Sequence, residues 1–324
     1  MNIFFQTCAL AALFALQGFA AAQPSPTFPS KGLKIIVPVA VGGGADQMTR
    51  IMANGLATNI GHSVVIENKG GAGGTVGMEQ GARAPADGYT LTMVYQSLGP
   101  NPYLYTKLPF DTVKDFAPVT QMVNYQLVMV VNSASPYNSV ADLIAAAKAK
   151  PGALTFGSSG AGGASHLAME LFQSKTGTKF VHVPYKGNAP AMTDLLGGQI
   201  TVIVDALAGV APFVQSGKVR AMGVASPNRS VLMPNVPTIG ETVPGYDMRG
   251  WLGLVAPAGT PPDRITWLHK EIAATLNDPS IKARLVQTGN EIVASTPEQF
   301  SQFIRSELKS YEVIVREAGI KPGN

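Results

Sequence analysis

The sequence predicts an α/β protein of two lobes, with mostly parallel sheets flanked by helices and a ligand cleft between the lobes. Strand-like apolar segments alternate with helical ones, which is the pattern of layered α/β sheets. The alternation runs through residues 31–124 and again through residues 125–225. The last third is mainly helical and has too few strands for its own sheet, so we expect it to pack back on the first lobe. Clefts between lobes are preferred ligand sites.

The individual elements follow from apolar runs bounded by glycine, proline and polar turn residues. The predicted strands are Leu33–Pro38, Ser63–Asn68, Tyr89–Val94, Gln126–Val131, Leu154–Ser158, Phe180–Tyr185, Ile200–Asp205, Val219–Ala225 and Trp251–Val255. The predicted helices are Asp46–Asn59, Ser139–Lys148, Ser165–Lys175, Pro190–Leu196, Ala211–Ser216, Pro262–Asn277, Ser280–Thr288 and Pro297–Ala318. We expect lobe 1 to contain residues 23–124 and 226–324, and lobe 2 to contain residues 125–225.

The N-terminal segment has the pattern of an export signal. Residues from Ile3 to Ala22 carry no charge, and three alanines precede Gln23 at a position typical of signal cleavage. We predict a signal peptide over residues 1–22; the alternative is an uncleaved membrane anchor. The single cysteine, Cys8, lies in this segment, so the mature chain can form no disulfide, thiolate metal site or cysteine nucleophile. An exported chain without cysteine fits a bacterial periplasm.

Composition and charge argue against several other classes. Apolar residues make up 46% of the chain and charged residues 14%, which is enough apolar content for full cores. The net charge of +4 is spread along the chain, whereas nucleic-acid binders usually concentrate their basic residues. No second apolar run approaches the ~20 residues that span a bilayer. The histidines lack metal-binding spacing, so we predict no metal and no cofactor. They are His62, His166, His182 and His269.

The stretch VPVAVGGGADQMTR, residues 37–50, places three glycines between a strand and a helix. Free N–H groups at a helix N-terminus bind anions, and glycine lets a ligand approach the backbone closely. The predicted ligand contacts are Val41, Gly42, Gly43, Gly44 and Asp46. The alternative is a tight connection in which Asp46 is an ordinary first-turn acid. The spacing lacks the third small residue of a dinucleotide fingerprint.

A second strand–turn–helix unit occupies residues 154–172 and combines glycines with serines. The predicted ligand contacts are Ser158, Ser159, Gly160, Gly162, Ser165 and His166. His166 begins a helix beside the turn, and a capping or packing role is as well supported as ligand contact. A nucleophile elbow requires G-x-S-x-G, and the stretch from Gly157 to Ala161 lacks the last glycine. A serine-dependent hydrolase is therefore the weaker alternative.

Two further strand ends carry polar groups. The strand Phe180–Tyr185 leads into a glycine-containing loop and then a helix. The predicted ligand contacts there are Tyr185, Lys186, Gly187 and Ala189, although Lys186 taken alone is better explained as a solvated loop residue. Asp205 ends another strand, where it could accept a hydrogen bond from a ligand hydroxyl or ammonium, or cap the next helix.

Taken together, these units place several helix N-termini at the carboxyl ends of strands, where open α/β sheets bind ligands. Hydrogen-bond donors are plentiful, whereas the sequence offers no convincing base, nucleophile or metal cluster. We therefore predict a protein that binds an anion and is not an enzyme.

Six segments are distinctive in combination: IIVPVAVGGGADQMTRIMA (35–53), VVIENKGGAGGTVGMEQGARAPADGYTL (64–91), NPYLYTKLPFDTVKDFAPVT (101–120), SSGAGGASHLAMELF (158–172), VHVPYKGNAPAMTDLLGGQI (181–200) and WLGLVAPAGTP (251–261). On these segments the chain resembles the Bug family of periplasmic solute receptors, which serve tripartite tricarboxylate transporters. Two positions depart from the family pattern. Ala40 and Val41 stand where the family usually has two prolines, and Gly70 also replaces a proline.

The resemblance implies a type II-like periplasmic binding protein whose lobes close on a small carboxylate. It implies that the turns at residues 42–46 and 157–166 grip one carboxylate through backbone amides, hydroxyls and waters, and that the Tyr185–Ala189 loop completes the pocket. The residues expected to contact the far end of the ligand are Gln96, Ser97, Asn101 and Asp205. Family ligands include tricarboxylates, dicarboxylates, amino acids and aromatic acids. The expected partners are integral-membrane transporter subunits, and we expect a monomer; a receptor coupled to signalling is an alternative.

Overall fold

A computed structural model describes residues 28–160, 162–185 and 187–317. The predicted signal peptide and Lys186 lie outside these residues. The described strands are β1 Leu33–Val37, β2 Val64–Asn68, β3 Thr90–Tyr95, β4 Phe116–Asn132, β5 Thr155–Ser158, β6 Val181–Pro184, β7 Val202–Ala206, β8 Val219–Val224, β9 Arg249–Pro257 and β10 Asn290–Ile292. All of them belong to one unit, which starts at Lys31.

The described helices are α1 Gly44–Ile60, α2 Thr75–Ala82, α3 Asn101–Leu104, α4 Val140–Ala149, α5 Ala164–Thr176, α6 Asn188–Leu196, α7 Leu207–Gln215, α8 Pro262–Asn277, α9 Pro279–Val286 and α10 Pro297–Glu317. Short 3₁₀ turns occupy Ala72–Gly74, Gln96–Leu98 and Ile239–Glu241. The predicted strands and helices are all present, most with ends shifted by a few residues. The main change is in β4, which begins at Phe116 rather than at Gln126.

Two helices and one strand were not predicted, namely α2, α3 and β10. The sequence of α2 contains two glycines, which lower helix propensity. Packing explains why the helix forms there. A Cβ on Gly77 would lie 2.7 Å from Pro38, and one on Gly81 would overlap Thr92, so both glycines let α2 approach the sheet closely. Tertiary contact therefore outweighs the local propensity.

The strands form one sheet in the order β2-β1-β3-β9-β4-β7-β5-β6, and β8 and β10 pair with β4. Strand β1 is parallel to β2 and β3, and β5 is parallel to β6 and β7. Every pair made by β4 or β9 is antiparallel. The predicted α/β class is confirmed, but the sheet is parallel only toward its two ends. The reason is that β4 carries the chain from one parallel group to the other, and β9 brings it back.

Strand β4 joins the two halves of the sheet. Its first part, residues 116–126, pairs with β9, and its last part, residues 127–131, pairs with β7. We call β1, β2, β3, β9, β10 and the first part of β4 the first half, and the remaining strands the second half. The predicted lobe boundary after residue 124 lies close to this change of partner, but the lobes themselves stay a prediction.

Residues 226–248 pack on the second half, whereas the sequence analysis assigned them to lobe 1. Ile239 and Tyr246 belong to the same apolar core as Phe172 of α5. The Tyr246 hydroxyl donates a hydrogen bond to the Ala168 carbonyl of α5 at 2.9 Å. The predicted return at residue 226 is therefore too early, because the chain rejoins the first half only at β9. Within the described residues, no helix is long and apolar enough to cross a membrane.

Candidate functional site

The first glycine turn lies between β1 and α1, at the carboxyl end of β1. Gly42 has a φ of +88°, which favours glycine. Gly43 is the N-cap of α1, and no side chain caps this helix. Gly42 and Gly43 are exposed, and Val41 is 71% exposed. The turn therefore leaves the first N–H groups of α1 without a side-chain acceptor, which is what an anion site requires.

Asp46 supports this turn from inside. Its side chain is 1% exposed and accepts hydrogen bonds from the Gly42 N–H at 2.9 Å, Arg50 Nε at 3.0 Å and Asn68 Nδ2 at 2.8 Å. Burial alone would raise the pKa of Asp46, but the bonds from Arg50, Gly42 and Asn68 together lower it. Both carboxylate oxygens are thus bonded within the protein. This geometry favours the alternative of a first-turn acid, and ligand contact by Asp46 stays a prediction.

A second polar group follows β3, at the same edge of the sheet as the first turn. Gln96, Ser97 and Asn101 are fully buried. Gln96 Nε2 donates to the Tyr125 hydroxyl at 2.7 Å. Gln96 Oε1 and both amide atoms of Asn101 have no partner among the described residues. Buried polar atoms are costly unless a ligand or water satisfies them, so these atoms are candidates for ligand contact.

The second turn follows β5, and its first serine is bonded within the protein. Ser158 is 1% exposed, and its Oγ lies 2.6 Å from His182 Nε2 and accepts from the Gly160 N–H at 3.1 Å. The contacts are satisfied when His182 donates to Ser158 and the hydroxyl donates to the Gly160 carbonyl at 3.2 Å. Burial lowers the pKa of His182 to about 4. No described carboxylate bonds to His182, so this buried pair lacks the orienting third group of a hydrolase.

The remaining serines of this turn belong to a hydrogen-bonded chain. Ser165 Oγ accepts from the Ser159 N–H at 3.3 Å and lies 3.5 Å from Asn188 Oδ1. Asn188 Nδ2 donates to Asp205 Oδ1, which also accepts from the Ala206 N–H at 2.6 Å. The chain connects the ends of β5 and β7 with the N-terminus of α6. It therefore brings the predicted contacts Ser159, Ser165 and Asp205 together.

His166 caps the second turn. Its Nδ1 accepts from the Gly162 N–H at 3.1 Å, and its Nε2 lies 3.5 Å from Glu170. The ring stacks on His182, with 4.2 Å between the ring centroids. Burial, and then the neighbouring His182, lower the pKa of His166 to about 3, so the ring is neutral at pH 7. This geometry corresponds to the capping alternative, and ligand contact by His166 stays a prediction.

The loop after β6 can offer backbone groups to a ligand, because the Tyr185 phenol is already bonded within the protein. The Tyr185 hydroxyl donates to Asp194 at 2.6 Å, and the Tyr185 N–H donates to the Ser158 carbonyl at 3.0 Å. Burial, with a contribution from Asp194, raises the pKa of Tyr185 to about 12. Gly187 is the N-cap of α6 with a φ of +118° and no side-chain cap, and Ala189 is exposed. The predicted contact from Lys186 stays a prediction.

The two halves touch at Gly162. A Cβ placed on Gly162 would lie 2.6 Å from Leu104 Cδ1 and 3.7 Å from Asn101 Oδ1. This glycine of the second half therefore lies against α3 of the first half. Tyr125 of β4 provides another link, because it is bonded to Gln96 and its pKa, already raised by burial, is raised further by the Asp205 carboxylate. The described site residues of the two halves thus lie close together.

Asp205 is the unusual ionisable group of this region. It is 6% exposed, and burial raises its pKa from 3.8 to about 7 despite the bond from the Ala206 N–H. Asp46, the other buried carboxylate, is paired with Arg50. No described lysine or arginine forms an ion pair with Asp205. The described histidines and acids include no cluster that could hold a metal ion.

Asn188 and Tyr125 contact the site residues but were not predicted from the sequence. Asn188 stands directly after Gly187 at the first position of α6. The helix was predicted to begin at Pro190, so the polar residue directly after the turn glycine was a signal that could have been used. Tyr125 lies inside a strand. Nothing in the local sequence distinguishes a strand residue beside the cleft from one in the core.

Comparison with known proteins identifies relatives over most of the chain. Residues 48–320 match the model of the TctC family, described as the tripartite tricarboxylate transporter family receptor. Protein BugT of Bordetella pertussis is 34% identical over 324 residues, covering 99% of each chain. These matches confirm the family resemblance drawn from the sequence.

Solved structures with ligands are similar as well. The R. palustris protein Rpa4515, solved with adipate, has a TM-score of 0.87 and 33% identity and covers 91% of this chain and 100% of its own. MatC from Rhodopseudomonas palustris, solved with bound malate, has a TM-score of 0.83 and 28% identity and covers 89% of this chain and 100% of its own. The predicted fold class, that of a periplasmic binding protein, is confirmed.

Proposed function

Because the chain belongs to the receptor family of tripartite tricarboxylate transporters, we propose that it captures a small carboxylate between its two halves and delivers it to the membrane subunits of such a transporter. Family membership makes the chain a solute-binding receptor and implies a membrane transporter partner. Two similar proteins were solved with adipate and malate, which are both carboxylates. What we propose for this chain is that its ligand is a small carboxylate and that the predicted residues contact it.

The observation that carries the proposal is the repeated glycine N-cap. Helices α1, α5 and α6 begin after Gly43, Gly163 and Gly187, and no side chain caps any of the three. An uncapped N-terminus leaves N–H donors for a ligand, and its dipole favours an anion. A carboxylate offers only acceptors, so it complements these donors. Hydrogen bonds to a charged group contribute ~1.5–3 kcal/mol each, so a few of them support binding near −8 kcal/mol, which is about micromolar.

We also propose that the protein catalyses no reaction. Ser158 and His182 are held by internal bonds, and the pKa of His182 is lowered to about 4, which makes it a weak base. Incubation with p-nitrophenyl esters should give no turnover above buffer. Turnover that disappears in Ser158→Ala or Ser159→Ala would contradict this part of the proposal.

We also propose that residues 1–22 direct export to the periplasm and that the mature receptor is a monomer of two lobes. Receptors of this family are periplasmic, which supports export. N-terminal sequencing of protein recovered from the periplasm should begin at Gln23. A sequence beginning at Met1 in the membrane fraction would indicate an uncleaved anchor. Light scattering should give the mass of one chain.

A thermal-shift panel tests the ligand class. The purified protein is unfolded and refolded to remove any retained ligand, and then heated with dicarboxylates, citrate, amino acids and benzoate, each beside its amide. A ligand at 1,000 times its Kd stabilises by ~4 kcal/mol, which raises Tm by several degrees. We expect a rise with at least one acid and none with its amide. The rise should be smaller in Ser159→Ala and unchanged in the control Ser216→Ala, which alters an exposed serine. No rise with any acid would overturn the proposal.

A further inference from the structure

Several buried polar atoms near the cleft have no hydrogen-bond partner among the described residues. Most of those in the first half and at Asp205 are acceptor oxygens. Gln96 Oε1 and Asn101 Oδ1 are fully buried and have no partner among the described residues. The described hydrogen bonds to Asp205 both end on Oδ1, so Oδ2 is left to accept another. Asn101 Nδ2 is the one free donor among these side-chain amides. Three acceptor oxygens therefore accompany one amide donor and the Ser97 hydroxyl, which is also buried without a partner and can donate or accept.

Intervening residues connect these acceptors. Gln96 is bonded to Tyr125, and Tyr125 lies near enough to Asp205 for the carboxylate to affect its ionisation. Asn101 Oδ1 is 3.7 Å from the position that a Cβ on Gly162 would take. The turn that contains Gly162 is joined to Asp205 through Ser165 and Asn188. Gln96, Asn101 and Asp205 are thus connected through Tyr125, the Gly162 turn and Asn188, and we call these three side chains the acceptor end of the cleft.

A second ligand carboxylate fits the acceptor end poorly. Its oxygens would meet acceptor oxygens, and its charge would repel the Asp205 carboxylate. Asp205 also lacks a described cation, and a buried carboxylate without a counter-charge is unfavourable. An ammonium group has three N–H donors, no acceptor and the opposite charge. An ammonium group can therefore donate to the free acceptor oxygens and supply the positive charge that Asp205 lacks.

We infer that the ligand carries an ammonium group as well as a carboxylate, so that the substrate class is the amino acids, and that Asp205 selects them. This inference rests on the proposed function and narrows it. The glycine N-caps bind the carboxylate. Asp205 pairs with the ammonium, and the amide oxygens of Gln96 and Asn101 accept its remaining N–H bonds.

Binding of an ammonium ligand should change the protonation of Asp205, and this change can be measured. The elements packed on β7 carry few other titratable side chains. They are Tyr125 on β4, His166, Glu170 and Lys175 on α5, and Asp194 on α6. Tyr125 and His166 are neutral at pH 7, whereas the pKa of Asp205 is about 7. Pairing with an ammonium ionises Asp205, so binding at pH 7 releases about half a proton, and affinity rises from pH 5.5 to pH 8. A second carboxylate would instead require proton uptake.

Isothermal titration of the refolded full chain tests the inference with probes matched in skeleton. One set is L-aspartate, L-malate and succinate, which carry ammonium, hydroxyl or hydrogen on the same carbon. Other sets are L-alanine, L-lactate and propanoate, and 5-aminopentanoate, 5-hydroxypentanoate and glutarate. In at least one set the ammonium member should bind at least tenfold more tightly than its partners, with net proton release. Asp205→Asn should remove most of this preference, whereas Asp263→Asn, the same charge change at an exposed site on α8, should keep it.

The outcomes separate this inference from the proposed function. A hydroxy acid or dicarboxylate that binds as tightly as its amino counterpart in every set would overturn the inference and leave the carboxylate receptor intact. An ammonium preference that survives Asp205→Asn would overturn the role of Asp205. A panel in which no carboxylate binds would overturn both the inference and the proposed function.

Discussion

Replacing Asp205 with asparagine should stabilise the unliganded protein at pH 8 and change little at pH 4. Burial raises the pKa of this carboxyl from 3.8 to about 7 in the folded state. Between these values the folded carboxyl keeps its proton while the unfolded one has lost it. The folded state then binds more protons, so its stability falls as pH rises through this window and levels off above about pH 7.

The size of the effect follows from the shift. A difference of about 3 pKa units at 1.36 kcal/mol each amounts to about 4 kcal/mol by pH 8. Asparagine has no charge to bury, and its side-chain oxygen can still accept from Asn188 and from the Ala206 N–H. The variant should therefore lack this loss of stability, and its advantage over the wild type should grow from pH 4 to pH 8.

Urea denaturation at pH 4, 6 and 8, without ligand, measures this difference as a change in the free energy of unfolding. Asp263→Asn on α8 is the matched control, because it removes an exposed carboxylate. Its difference from the wild type should stay nearly constant with pH. An Asp205→Asn effect that is equally constant would refute the argument that Asp205 is a buried acid without a counter-charge.

Three further changes test other parts of the structure. Gly162→Ala adds a Cβ against α3 at a φ of +76°, so the affinity for the best carboxylate should fall at least tenfold by titration; an unchanged affinity would show that the halves need not touch there. Asp46→Ala leaves the Gly42 N–H and Asn68 Nδ2 without this acceptor and should lower the free energy of unfolding by ~1–3 kcal/mol in urea at pH 7, since Arg50 is 42% exposed and keeps its bond to Asn68. Because the pKa of Asp46 is lowered in the folded state, this loss should shrink as pH falls below about 4, and a pH-independent loss would contradict the bonding described. Gly250→Ala would overlap the Tyr125 ring and should cost ~1–3 kcal/mol in urea; no loss would show that the ring has room to move.

The helices after Gly43, Gly163 and Gly187 could be predicted from the sequence with their first residues correct to within two positions, because a strand, a glycine turn and a helix form a local pattern. The predicted strands were also present, since apolar runs bounded by turn residues are local signals. Helix α2 could not be predicted this way, because its glycines lower helix propensity, and only contact with the sheet explains them.

The roles of individual side chains depended on contacts distant in sequence. Asp46 and His166 each had two interpretations, and their internal bonds to Gly42 and Gly162 became visible only in three dimensions. Tyr125 gave no local signal, because its importance comes from Gln96 and Asp205, which lie 29 and 80 positions away. The burial that raises the pKa of Asp205 is likewise a property of the packed fold.

A crystal structure with the carboxylate that gives the largest thermal shift tests the central claim most directly. The account predicts that the carboxylate lies between the halves, within about 3.2 Å of backbone N–H groups at the start of α1, α5 or α6, or one water away. Density for the acid elsewhere would contradict it. One such place is the separate surface cavity of about 330 Å³ between Asn132 and Thr201.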